Sequence, residues 1–315
     1  MQNFIIRILY AHMKMEGWSP AFVKQAVEAY LLDLPLRDIY IAKRKSTSKG
    51  VTYQKGDIRT DKIEDDKRKM DPLLAAIDTY TLYEAIMRRE HRYDFEDMIN
   101  WVNKALAQEP GLLADYQEQF QFILVDEFQD TSGAQNRLLQ LLCQDVEQPN
   151  IFVVGDDDQS IYRFQGANLG NMLDFIRTYS NQLTSVVLQE NYRSTQAILN
   201  WSRYVISNNQ DRLVRSNPAY EKHLQAALPE RIQSPVRPVL QEYENTLQEC
   251  MGLTLQIESL LSSGMKPADI AVIYSEHKYG EMLMAYLHER RIPVYHRKKE
   301  DVLQLPVILK VRQVL

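Results

Sequence analysis

Residues 121–131 read Gln-Phe-Ile-Leu-Val-Asp-Glu-Phe-Gln-Asp-Thr and set two adjacent carboxylates directly after an unbroken apolar run. Phe122, Ile123, Leu124 and Val125 have the pattern of a strand buried on both faces of a parallel sheet. Asp126 and Glu127 would then emerge at the strand's carboxyl end, where open α/β sheets bind ligands. Phosphoryl-transfer sites use such a pair, one carboxylate holding a divalent cation and the other positioning or deprotonating a water. Alone, the pair is a weak signal, because acids after a strand also cap the next helix. None of the eleven glycines is followed by lysine, so a Gly-Lys-Ser/Thr phosphate loop is absent from these 315 residues.

The length suffices for two or three domains with proper cores. No apolar run approaches a membrane span, and Met1–Tyr10 lacks the basic start and small-residue cleavage site of a signal peptide. Cys143 and Cys250 are the only cysteines, with no His or Cys at metal-ligand spacing. That excludes a disulfide framework or zinc site and suits a reducing cytoplasm. The net charge of −5 argues against broad coating of nucleic acid but leaves room for a local groove. The basic clusters at Lys43–Lys45 with Lys49, at Lys67–Lys69 and at Arg297–Lys299 read, taken singly, as solvated surface.

The spacing of Val23, Val27, Tyr30 and Leu31 predicts a helix over 20–38, opened by Ser19-Pro20. Residues 43–70 are charged and aperiodic and read as a mobile surface excursion. Residues 72–106 return to helix, broken near 92–94, so the first hundred residues are expected to be all-helical. Beyond 121 the style changes. Strands are expected at 122–126, 151–154 and 185–188, with helices at 133–144 and after Ser194. That alternation implies parallel pairing with polar ends gathered along one sheet edge. Residues 207–236 are polar and proline-punctuated, as in a linker. A second α/β set follows, with strands at 239–243, 270–274 and 294–296, helices at 247–262 and 279–290, and a last helix at 306–315.

Two further segments strengthen the acidic pair. Gly155-Asp156-Asp157-Asp158-Gln159-Ser160-Ile161-Tyr162-Arg163-Phe164-Gln165-Gly166-Ala167 brings three acids, an amide and two aromatics just beyond a strand. Gln159 could reach a terminal phosphate. Tyr162 and Phe164 could stack on unpaired bases, a contact worth ~1–3 kcal/mol per base, or one of them could cover the sheet edge as core. Gln189-Glu190-Asn191-Tyr192-Arg193-Ser194 puts an arginine at a helix start, which suits an anion, although a surface salt bridge is the competing explanation.

In this order and spacing the three segments resemble motifs II, III and IV of superfamily 1 DNA helicases of the UvrD/PcrA/Rep type. Weaker similarity extends to Tyr93-Asp94-Phe95-Glu96-Asp97-Met98 and to 269–294. The resemblance implies an α/β fold of P-loop NTPase (RecA-like) parallel sheets with an all-helical accessory domain, the motor domains being incomplete. It divides the chain into a helical accessory domain over 1–92, the second half of a first motor domain over 93–190, and the first part of a second over 191–315, with a linker near 207–236. By the same resemblance Asp126 is the Mg²⁺ ligand and Glu127 the base for water attack. Gln159 senses the terminal phosphate of ATP, Tyr192 packs on the adenine and Arg193 contacts the terminal phosphate. Tyr162, Arg163 and Phe164 contact single-stranded DNA. Gln165 stands where many relatives have arginine, which should weaken a backbone phosphate contact.

The family's motif I, with its phosphate-binding lysine, and its motifs V and VI have no counterpart in these residues. The chain is therefore expected to be the central piece of a larger ATP-dependent helicase, cytoplasmic and moving 3′ to 5′ in DNA repair or replication. Its partners would be single-stranded DNA, single/double-strand junctions and repair proteins, with no membrane, and by itself it should not hydrolyse ATP. A DNA- or partner-binding module without ATPase activity is the alternative, as is the helicase part of a RecB-like helicase–nuclease.

Overall fold

Side-chain caps encoded in the sequence open five of the described α-helices. The structure, a computed structural model, describes residues 2–160, 169–210 and 212–295. The chain forms two compact units, 1–236 and 237–315.

The first unit opens with α1 (Gln2–Glu16) and α2 (Pro20–Asp33). Ser19 caps α2, its hydroxyl accepting from Phe22 N at 3.2 Å, with Pro20 in the first helical position where no N–H is needed. The helix ends at Asp33, short of the expected 38, because Pro35 cannot donate to the ladder and the chain tightens into 3₁₀ turns. The first hundred residues are not all-helical. Ser46–Ser48 (β1) and Val51–Tyr53 (β2) pair antiparallel, and Ile41 bridges Ile58. Lys49 and Gly50, both at positive φ, form the two-residue turn whose twist matches a hairpin. The stretch 43–70 is thus a hairpin followed by the first turns of a helix.

That helix, α3, runs Thr60–Arg89 straight through Pro72, where the sequence suggested a start. Its apolar face holds it in place. Ala76, Ile77 and Tyr80 pack on Leu9, Tyr10 and Met13 of α1 and Val23 of α2, and Tyr10 donates to the Ala76 carbonyl at 2.8 Å. Ile63, before the proline, packs with Leu34 and Tyr40. A reciprocal capping box between Asp94 and Asp97 starts α4 (Phe95–Gln108), which α5 (Pro110–Gln119) follows.

Strand β3 (Ile123–Val125), α6 (Gly133–Cys143), β4 (Ile151–Val153) and α7 (Leu169–Thr178) come next. β3 and β4 are parallel, with Ile123 beside Ile151, Leu124 beside Phe152 and Val125 beside Val153. The apolar run is not buried on both faces. Phe122, Leu124 and Phe152 are 72%, 75% and 62% exposed, whereas Ile123, Val125, Ile151 and Val153 are half-buried. A two-stranded sheet covered on one side leaves alternate side chains in water.

Residues 185–188 pair with nothing described. The paired strand is Glu190–Asn191 (β5), parallel to Gln225–Ala226 (β6). Between them lie α8 (Gln196–Ile206), capped by Thr195, and the short α9 (Leu213–Ser216). The short α10 (Pro229–Ile232) follows. The stretch 207–236, which reads as a linker, therefore carries a strand and two short helices of the first unit.

In the second unit Asn245 caps α11 (Thr246–Ser262), which packs against α12 (His277–Glu289) around Cys250, Ile257, Leu283, Leu287 and Ile292. Its helices form as expected. Its strands do not: among the described residues 239–243, 270–274 and 294–295 form no strand ladder, and Ile273 is 96% exposed. An apolar run supplies strand propensity, but only a neighbouring backbone makes the ladder. The helix expected at 306–315 lies outside the described residues.

Candidate functional site

β3 delivers Asp126 and Glu127 to its carboxyl end, and both are exposed. The Asp126 Oδ1 accepts from the Glu127 N–H at 2.9 Å, and its other oxygen has no described partner. Glu127 takes the left-handed conformation, φ 49°, uncommon for a residue with a Cβ and worth notice beside chemistry. This reversal buries Phe128 against Phe175, with ring centroids 5.4 Å apart, and turns Gln129 inward. Backbone bonds from Val154 N to Val125 O (2.8 Å) and from Phe128 N to Val154 O (2.9 Å) lock the two strand ends together.

Gln129 joins the two acidic segments. It is 1% exposed, donates from Nε2 to Glu127 Oε2 at 2.6 Å and accepts at Oε1 from Asp156 N at 3.0 Å. Gly155 makes room for it, since a Cβ there would stand 2.8 Å from Gln129 Oε1 and 3.3 Å from its backbone nitrogen. Gln129 leaves no mark in the sequence, because a lone glutamine after a turn has no periodic or chemical signature.

The Asp156–Asp158 turn packs three carboxylates with oxygens within 4.8 Å of one another. A lysine fills the space between them. Lys222 Nζ lies 2.5 Å from Asp156 Oδ1 and Asp157 Oδ1 and 3.1 Å from Asp158 Oδ2. Arg212 forks onto Asp158 with bonds of 2.6 and 3.0 Å, and Leu213 N donates to Asp157 Oδ2 at 2.7 Å. Burial would raise the Asp156 pKa, but hydrogen bonds from Lys222 and Gln159 outweigh it and hold the carboxyl below its usual range. Burial likewise works against the Lys222 charge, yet the bonds to Asp156 and Asp157 raise its pKa. With that ammonium in place the triad does not suit a metal ion. Gln159, exposed, donates from Nε2 to the other Asp156 oxygen at 2.8 Å.

Asp126, Glu127 and Gln159 therefore share one sheet edge, with Glu127 tied to Gln159 through Gln129 and Asp156. Tyr192 and Arg193 belong to the β5 arm. The Asn191 carboxamide accepts from Arg193 N at 3.0 Å and Ser194 N at 2.7 Å, forming the turn that leads into α8. Tyr192 is exposed and donates to Glu190, which raises its pKa. The Arg193 guanidinium is exposed with no described partner, and no direct contact joins it to Asp126, Glu127 or Gln159 among the described residues. Tyr162, Arg163, Phe164 and Gln165 lie outside the described residues. An open cavity of about 200 Å³, lined by Phe120, Ile123, Cys143 and Asn150, sits at the opposite, amino-terminal end of β3 and β4. It is not at the carboxylates.

Parallel strands ending in an acidic pair and an amide-bearing turn, beside an arginine-bearing arm, suit a nucleotide-dependent motor. Residues 11–180 match the UvrD/REP helicase N-terminal domain and residues 186–309 the UvrD-like helicase C-terminal domain. The chain belongs to the UvrD/Rep helicase family, whose domains imply a P-loop NTPase fold. It is 44% identical over 136 residues to the ATP-dependent DNA helicase PcrA of Leuconostoc citreum, covering 43% of this chain and 18% of that protein. It is 33% identical over 221 residues to PcrA of Staphylococcus aureus, covering 68% of this chain and 27% of that one. YjcD of Bacillus subtilis, whose name describes an ATP-dependent DNA helicase, is 36% identical over 219 residues, again 68% and 27%. The matched regions thus span about a quarter or less of these relatives. No described helix is long and apolar enough to cross a membrane.

Proposed function

We propose that this chain is the central part of an ATP-dependent DNA helicase that moves along single-stranded DNA, 3′ to 5′, in repair or replication. The hydrogen-bonded path from Glu127 through Gln129 and Asp156 to Gln159 carries this reading. It gives a water-activating carboxylate and a phosphate-sensing amide one common support. Residues 1–92 would be the helical accessory domain, 93–190 the second half of the first motor domain and 191–315 the first part of the second.

Asp126 fits a ligand of Mg²⁺, being exposed and having one carboxylate oxygen with no partner among the described residues. That ion, when bound with ATP, would supply charge neutralisation at the phosphates. Glu127, held at one oxygen by Gln129, has no partner among the described residues at its other oxygen, which would take a proton from the attacking water. Arg193 offers an exposed guanidinium, without a partner among the described residues, to the terminal phosphate, and Tyr192 an exposed ring to the adenine. Tyr162, Arg163 and Phe164 would contact single-stranded DNA or the junction ahead of it.

A DNA-binding module without turnover is the second reading, favoured by the missing Gly-Lys-Ser/Thr sequence. Steady-state ATPase and oligothymidylate binding, measured on the 315-residue chain, separate the possibilities. We expect DNA binding without DNA-stimulated turnover, the phosphate-loop lysine being needed for hydrolysis. Clear stimulation would show that this chain dispenses with that lysine, and failure to bind oligothymidylate would remove the DNA contact.

A further inference from the structure

Lys222 and Arg212 lie more than fifty residues beyond the aspartates they grip, on a stretch whose composition suggests a linker. Their side chains are 15% and 7% exposed. The stretch is itself fastened to the arm carrying Tyr192 and Arg193. Gln225 N donates to Gln189 O at 2.8 Å, and Ala227 N to Asn191 O at 2.9 Å. The Gln196 carboxamide, on α8, closes the same body by accepting from Ala226 N at 2.9 Å and donating to Leu224 O at 3.3 Å. Asn191, whose side chain shapes the Arg193 turn, is therefore in register with a strand that begins three residues after Lys222.

We propose that Arg212 and Lys222 are positioning residues that clamp the Gly155–Ser160 turn to the Glu190–Ser194 arm, so that Gln159 and Arg193 are held by one rigid connection. Asp156 is the hub. One of its oxygens receives Lys222, the other receives the Gln159 amide, and its backbone nitrogen reaches Gln129 and through it Glu127. A displacement at the arginine-bearing arm is thereby felt at the glutamine and the carboxylate without any direct contact between them. Two cations against three clustered carboxylates make the joint strong, because bonds between charged partners exceed neutral ones and these are shielded from water. The inference rests on the helicase reading only for what Gln159 and Arg193 would touch; the joint itself rests on the distances.

Amide hydrogen exchange on the 315-residue chain tests it, with peptides covering 155–160 and 189–195 as reporters and 70–85 of α3 as control. Lys222→Met and Arg212→Met should speed exchange in both reporters by roughly tenfold or more and leave the control unchanged. Lys222→Arg and Arg212→Lys should restore most of the protection. Faster exchange at 155–160 alone, or in neither reporter, overturns the proposal. If the methionine variants fail to fold, Asp158→Asn, which removes one charge at nearly constant volume, decides by the same two peptides. Oligothymidylate binding by the unmodified chain is measured in parallel. Coupled exchange in a chain that does not bind DNA would sink the helicase reading and leave the joint standing, and DNA binding with uncoupled exchange would do the reverse.

Discussion

Glu127 is held in a left-handed backbone conformation with one carboxylate oxygen engaged by Gln129, the other having no described partner and the residue being exposed. A base for water attack needs that division, one oxygen for orientation and one for the proton. On the proposed role, Glu127→Gln in a protein of its relatives' length should keep ATP binding and lower turnover by ~10²–10⁴, the usual contribution of a positioned base. Rapid-quench and nucleotide-binding measurements check this, and unchanged turnover removes Glu127 from the role. Two glycines make a sharper structural comparison. A Cβ at Gly133 would meet the Glu16 backbone, 2.9 Å from its oxygen and 3.1 Å from its Cα. The closest atom is a side-chain end at both, but at Gly155 the nearest backbone atom stands off at 3.3 Å. Backbone cannot step aside as a side chain can, so Gly133→Ala should cost about 2–3 kcal/mol and Gly155→Ala about 1 kcal/mol. Urea denaturation orders the two, and a reversed order would contradict the contacts. The acidic pair, Gln159 and Arg193 are legible in the sequence because their chemistry is unusual at a strand or helix end. Gln129, Arg212 and Lys222 are not, because their meaning comes entirely from residues distant in the chain.

Helices and strands differ in the same way. α2, α4, α6, α8 and α11 all begin at side-chain caps readable from a few consecutive residues. The runs 185–188 and 270–274 have strand composition, yet among the described residues neither pairs in a strand ladder. The cap of α4 also carries tertiary structure. Lys14 of α1, only 4% exposed, reaches Asp94 and Asp97 at 2.8 Å each, and its carbonyl accepts from Asn100 Nδ2 at 2.8 Å. Burial opposes the Lys14 charge, but the two aspartates hold its pKa well above the ordinary value. Burial would raise the Asp94 pKa, and Lys14 more than reverses this. Lys14→Met should destabilise the first unit by about 3 kcal/mol, the low end for breaking a buried pair, since Asp94 retains contact with water. The sign of the pH dependence follows from linkage. A depressed Asp94 contributes stability above the usual carboxylate pKa of about 4, and it is lost as pH falls through the lowered value. A raised Lys14 contributes below about 10.4, and the contribution is lost only as pH climbs through the raised value. The difference between wild type and variant should therefore be flat from about pH 5 to 9 and shrink in stronger acid. A difference that peaks near neutrality would point to another group.

At the scale of the molecule, the two compact units each bury an apolar cluster of their own, one gathered on α1, α2 and α3 and the other between α11 and α12. Cooperativity follows shared burial, so each unit should unfold as its own transition. The tryptophans allow this to be seen without labels. Trp18, Trp101 and Trp201 all fall in the first unit, so indole fluorescence reports on that unit alone. Far-UV circular dichroism also registers the second unit, through the 17 residues of α11 and the 13 of α12. The second unit is the smaller and should expose less surface on unfolding, which lowers its denaturant slope and leaves it the weaker core. Urea titration should accordingly give a dichroism curve that begins to fall while fluorescence still reads native. Superimposable curves from the two probes would mean that the units unfold together, and the division at residue 236 would then have no thermodynamic counterpart.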